Sequence, residues 1–172
     1  MSETTTAVFR IHIESTLETV WRELTRADGR PLPAFFNGVC DCGPGGMKVG
    51  APLRIRTANG KYTSVVGEVT EFEPPTRYAH TFRFTQYDDP ECTMVYELAE
   101  KDGGVELTLT ALGVPAGTKT AGQIQRGGKM IVATLKRVVE TGRPSFGTRL
   151  LYVLFKVLEP LTPSRLKSEN WP

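Results

Sequence analysis

The chain has 172 residues, 40% of them hydrophobic and 23% charged, with a net charge of +2. This is the balance of a one-domain globular protein with enough side chains for a core, and so small a charge, with no basic run among aromatics, argues against a nucleic-acid partner. No stretch approaches the roughly 20 apolar residues of a membrane-spanning helix, Met1 to Ala7 carries no apolar signal core, and three cysteines fit a reduced, cytoplasmic protein better than a disulfide framework.

In chain order, Phe9-Arg10-Ile11-His12-Ile13 alternates and predicts a strand with Phe9, Ile11 and Ile13 on one face. Ser15 and Thr16 offer N-caps, Ser15 with Glu18 fitting a capping box, for a helix through Val20, Trp21 and Leu24 that stops near Asp28-Gly29. Pro31 and Pro33 frame a short turn carrying Phe35 and Phe36, and Cys40 and Cys42 share one face of a short strand. Leu53 to Thr57 alternates, Asn59-Gly60 signals a two-residue hairpin, and Tyr62 to Phe72 returns as far as Pro74-Pro75. In Arg77 to Phe84, Tyr78, His80, Phe82 and Phe84 share a face; in Cys92 to Leu98, Met94, Tyr96 and Leu98 do. Asp102-Gly103-Gly104 turns into a last strand with Val105, Leu107 and Leu109 inward.

The polar segment 118–126 reads as a loop or a frayed turn, because Gly127-Gly128 disfavours an unbroken helix. Beyond it Ile131, Leu135 and Val138, flanked by Val132 and Val139, form one apolar helical arc that stops at Gly142. A second helix is predicted at about 148–159. Its narrow polar strip is Arg149, Tyr152, Lys156 and Glu159, and an apolar sector of about 200° takes the remainder. At roughly 18 Å it is too short to span a bilayer. So wide an apolar sector requires cover. Packing on the parent domain or a homodimer partner through Leu150, Leu154 and Val157 is expected, with docking at a membrane interface as the alternative. Ser164 to Pro172 either trails in solvent or straps down through Trp171. The pattern predicts an α+β fold in which a curved antiparallel sheet grips a long C-terminal helix. The expected organisation is a domain over 7–142 and an extension over 143–172 bearing the amphipathic helix.

Four segments carry a family resemblance: Val20-Trp21-Arg22-Glu23-Leu24-Thr25; Gly67-Glu68-Val69 through Pro74-Pro75-Thr76-Arg77-Tyr78; Glu106-Leu107-Thr108-Leu109-Thr110; and Leu135 through Gly142. The chain resembles the START-like superfamily (SRPBCC, the helix-grip fold), and within it homologues of the heat-shock protein 90 ATPase activator. It departs at Lys129, where an aromatic is expected. The resemblance implies the helix-grip fold over roughly Val8 to Gly142. For function it implies one of several roles carried on that scaffold: lipid carrier, receptor, cyclase or co-chaperone.

Strand parity aims Tyr78, His80, Phe82, Met94, Tyr96, Leu107 and Leu109, with Ile131 and Leu135 of the helix, into one interior space. That set is mostly apolar with a few polar tips, the make-up of a ligand pocket, and predicts binding of a small hydrophobic molecule, lipid or polyketide-like. His80 is the one catalytic candidate. It would serve as acid or base in a cyclase or hydrolase; the competing reading is a buried histidine satisfied by Tyr96 or a backbone carbonyl. Regulation of a chaperone ATPase is the third reading, implied by the resemblance alone. Cys40-Asp41-Cys42 lacks a second pair of ligands, Gly43-Pro44-Gly45-Gly46 lacks a phosphate-loop context, and no nucleophile elbow occurs, so neither metal nor cofactor is expected. Glu71 lies near a bend in its strand with nothing to fix its side.

Overall fold

A computed structural model describes residues 3–172; Met1 and Ser2 of the polar N-terminus lie outside the described residues. Seven strands form one antiparallel sheet: β1 (Thr4–Ile13), β2 (Val39–Asp41), β3 (Pro52–Arg56), β4 (Thr63–Glu73), β5 (Arg77–Phe84), β6 (Cys92–Lys101) and β7 (Gly104–Pro115). Their order is β1-β7-β6-β5-β4-β3-β2, so a meander from β2 to β7 is closed by the first strand pairing with the last. Helix α1 (Leu17–Leu24) follows β1, α2 (Lys119–Thr141) crosses the sheet, and α3 (Phe146–Leu158) comes after it. The register sets Phe9 against Leu109, Tyr96 against both Leu109 and Tyr78, and His80 against Met94. One face of the sheet therefore carries a continuous apolar and aromatic surface.

Several boundaries differ from the expected ones, each for a local reason. Thr16 rather than Ser15 caps α1, its hydroxyl oxygen accepting from the Thr19 N–H at 3.3 Å. The helix ends at Leu24, before Asp28-Gly29, because the Thr25 N–H and hydroxyl both donate to the Trp21 carbonyl. The two-residue turn belongs to Asp102-Gly103, with φ of 50° and 76°, and not to Asn59-Gly60. There the Thr57 N–H reaches across to the Tyr62 carbonyl, and the Asn59 side chain accepts from the Thr57 hydroxyl and the Lys61 N–H.

Helix α2 runs unbroken from its Thr118 cap, through Gly127-Gly128, to Gly142 in the left-handed conformation. The glycine pair is a packing device. A Cβ at residue 128 would run into the ring of Phe9 on β1, while one at 127 would rest 3.5 Å from the ring of Phe36, which packs from the 3-10 turn Pro33–Phe35 and its left-handed exit. The helix-propensity cost of glycine, about 1 kcal/mol each, is offset by bringing α2 down onto β1. Past this point Val132 and Leu135 join Ile13, Val20, Leu24, Leu98, Val105 and Leu107 in a solid core.

The orientation of α3 corrects the expected one. No residue of α3 is buried, and Leu150, Leu154 and Val157 are 60%, 48% and 67% exposed, so they do not pack on the parent domain. It is the polar strip that turns inward: the Tyr152 hydroxyl donates to the Pro33 carbonyl, and the Asn59 amide donates to Glu159 at 2.6 Å. The surface beneath α3 offers carbonyl and amide groups, and unpaired polar groups cost more than exposed methyls. The tail straps down rather than trailing. Arg165 donates to the Thr85 carbonyl at 2.7 Å and pairs with Asp88, Ser168 donates to the Lys61 carbonyl, and Arg56 reaches the Trp171 carbonyl. Helix α3 is thus held at its middle and at its C-terminal end.

The two glycines predict opposite outcomes. Gly128→Ala should lower stability in urea unfolding by about 1–3 kcal/mol, as overpacking does. Gly127→Ala should be neutral or stabilising by up to about 1 kcal/mol. In a double-mutant cycle, Phe9→Leu should recover part of the Gly128→Ala loss.

Candidate functional site

Between the sheet, the first half of α2 and α3 lies a cavity of about 1190 Å³. Of the residues expected to face it, Tyr78, His80, Phe82, Met94, Tyr96, Leu109 and Ile131 line it. Leu107 and Leu135 do not: both are wholly buried in the solid core that α1 completes at the other end of the sheet. Helix α2 gives the cavity Gln123, Gly127, Met130 and Ile131, while its Val132 and Leu135 pack into the core. Further walls come from Phe35, Phe36, Phe84 and Ile124, and the mouth is bordered by residues of α3. Phe84 shares the parity of Phe82 and was legible from alternation. Ile124 was hidden by the glycine pair, and the α3 border by the wrong choice of inward face.

The floor is a stack of rings. Tyr78 and Tyr96, directly paired across β5 and β6, lie 4.7 Å apart and within 4° of parallel; His80 stacks on them at 5.7 and 6.0 Å. Trp21 of α1 meets Tyr78 edge-on at 6.2 Å and so closes the stack from below. Burial pushes both tyrosine hydroxyls well up, so they remain neutral donors.

His80 is 4% exposed, and its Nδ1–H donates to the Thr81 carbonyl at 2.7 Å, an assignment that follows from the carbonyl being an acceptor. Burial pulls its pKa down to about 4, against the opposing effect of that hydrogen bond. The ring is therefore neutral near pH 7. Its Nε2 makes no hydrogen bond among the described residues and stands in the cavity wall as an acceptor.

The other candidates sit apart. Cys40 and Cys42 are free and buried, with sulfur atoms 3.5 Å apart; the hydrogen bond between them and burial push the Cys40 thiol up, away from the thiolate a metal takes. Among the described residues no three His, Cys, Asp or Glu side chains cluster to hold a metal. Glu71 pairs with Arg77 at 2.6 Å, and Arg77 pairs also with Glu97, away from the cavity.

A buried neutral histidine makes stability pH-dependent, with a definite sign. Its pKa falls from 6.5 in the unfolded chain to about 4 in the fold, so below pH 6.5 the unfolded chain binds the extra proton and folding weakens. Urea midpoints should fall as pH drops from 6.5 to 5, approaching a slope of about 1.4 kcal/mol per pH unit. In His80→Phe the slope over that window should vanish; an unchanged slope would mean that the imidazole is not held neutral.

Comparison with solved structures places this geometry among related folds. DynU16, a protein from the dynemicin biosynthetic locus, is 23% identical with a TM-score of 0.64 over 81% of this chain and 48% of its own, so the chain spans about half of DynU16. The Aha1 dimer from Colwellia psychrerythraea is 18% identical, with a TM-score of 0.64 over 80% of this chain and 98% of its own. PFC0360w, an HSP90 activator from Plasmodium falciparum, is 17% identical with a TM-score of 0.62, covering 81% and 97%. At these identities the likeness is one of fold. No curated protein matches the sequence. The sequence profile of the Activator of Hsp90 ATPase homolog 1-like proteins, however, matches residues 9–140, from the strand that meets α2 to the last turn of α2 itself, and the chain belongs to that family.

Proposed function

We propose that the protein is a binding module for a small hydrophobic molecule, lipid or polyketide-like, held between the sheet and α2. The observation that carries this reading is the cavity of about 1190 Å³, floored by stacked rings and walled by Phe, Met, Leu and Ile side chains. That volume suits a lipid-sized guest, and the neutral tyrosine hydroxyls and His80 Nε2 supply a few fixed polar contacts. A cyclase or hydrolase reading depends on His80 alone. With Nδ1 committed to the backbone and a pKa near 4, His80 is a weak base at neutral pH, so binding takes precedence. Regulation of a chaperone ATPase draws on family membership only.

Native mass spectrometry of the purified chain mixed with a lipid extract should show added mass, and the adduct should be weakened in Ile131→Trp, whose indole takes up part of the cavity. No adduct in either protein would end the reading.

The same proposal extends to α3. Its outward sector leaves Phe146, Leu150, Val157 and Leu161 all largely exposed, and exposed apolar side chains grouped on one face mark an interaction surface. We infer that a second copy covers it; the related Colwellia protein was solved as a dimer. Light scattering should give a dimer mass, and Leu150→Glu with Leu154→Glu a monomer. A wild-type monomer that instead binds vesicles would transfer the face to a membrane.

A further inference from the structure

The charges around the cavity mouth are strongly one-sided. Five cationic side chains border the cavity, and the only carboxylate among its lining residues is Glu159. Arg56 is already paired with Asp41 at 3.0 Å, and Glu159 accepts from Asn59. The remaining four are Arg126 from α2, Arg143 from the turn after it, and Arg149 and Lys156 from α3. None of these four exposed side chains enters an ion pair or donates a side-chain hydrogen bond among the described residues, in contrast to the half-buried Arg26, Arg54, Arg56 and Arg77. Four unpaired cations converge on one opening in a chain whose net charge is only +2. They are solvent-exposed, so they repel one another only mildly, and the single carboxylate Glu159 leaves the rim with an excess of positive charge.

Their placement follows from features already described. The unbroken α2 brings Arg126, the residue immediately before the glycine pair, to the mouth. The inward-turned polar strip of α3 brings Arg149 and Lys156 to the opposite side, and the strapped tail holds them there. Below this rim every wall is neutral: rings, aliphatic chains, two protonated tyrosines and a neutral histidine. We infer that the guest of this site is an amphipathic anion, with an apolar or aromatic body on the Tyr78–Tyr96–His80 stack and a carboxylate, sulfonate or phosphate head at the mouth. Mobile arginines and a lysine can close on such a head from two helices, with the bidentate geometry that guanidinium groups offer. This inference rests on the cavity being a ligand site, and it adds the charge and direction of the ligand.

Two dyes with the same aromatic skeleton separate the two claims. N-phenyl-1-naphthylamine is neutral, and 1-anilinonaphthalene-8-sulfonate adds one sulfonate. The sulfonate dye should bind about tenfold tighter than the neutral one at low salt, and the advantage should shrink as salt screens the rim. In Arg126→Gln with Arg149→Gln, both surface changes that leave the core intact, the sulfonate dye should lose most of that advantage while the neutral dye binds as before. Both dyes should be weakened to a similar degree in Ile131→Trp, which narrows the cavity. If the neutral dye binds but the sulfonate gains nothing, or its gain survives the double substitution, the anionic head is refuted and the apolar site stands. If neither dye binds the wild type, the site itself fails. Sulfonate binding that is unchanged in Ile131→Trp while the neutral dye weakens would locate the sulfonate dye outside the cavity and likewise overturn the inference.

Discussion

The height of α2 above the sheet depends on one contact, the backbone of Gly128 against the ring of Phe9. Any side chain at that position would push the helix away. The contact lies midway along α2, and around it the helix presents two faces: Val132 and Leu135 sink into the core with Leu107 and Val105, while Gln123, Gly127, Met130 and Ile131 line the cavity. Interiors pack to near-crystalline density when side chains permit. A space of about 1190 Å³ therefore requires that the helix be unable to settle further. Phe36 packed against Gly127, and the ring stack rising from β5 and β6, oppose such settling.

The second constraint is the tail. Its segment from Ser164 to Trp171 pairs with the β3–β4 turn through Lys61, with β3 through Arg56, and with the end of β5 through Thr85. These bonds fix the far end of α3, and the Tyr152 hydroxyl on the Pro33 carbonyl fixes its middle. The helix consequently stands at the cavity mouth with its polar strip inward. Its arginine and lysine side chains border the opening because the residues that hold it in place are also polar. The exposed apolar sector is the other consequence of the same choice of face.

Alternation reached most of the sheet because it is a local property. The strand Arg77–Phe84 has the bounds and the inward set that its period-2 pattern predicts, and Gly142 stops α2 where expected. The first half of α2 was not legible. The low propensity of Gly127-Gly128 argued for a break, and only the distant ring of Phe9 explains why the pair belongs inside a helix. Likewise the amphipathicity of α3 separates its two faces but cannot say which one meets the protein, since that depends on Pro33 and Asn59, 119 and 100 residues before their partners Tyr152 and Glu159. The same holds for Leu107 and Leu135, whose parity was right but whose position along the wedge, at the closed end, was a matter of tertiary geometry.

The division between a neutral floor and a charged rim has its own physical logic. A charge at the depth of His80 would have to surrender its hydration, which is why burial holds that imidazole neutral and both tyrosines protonated. Arginines at the mouth keep their water and cost the fold little, whether or not a partner is present. A guest carrying a negative charge would thereby be oriented before close contact, since its charged end would be disfavoured by desolvation below and attracted above. Its body would then meet the ring stack, where the unpaired His80 Nε2 could accept one hydrogen bond.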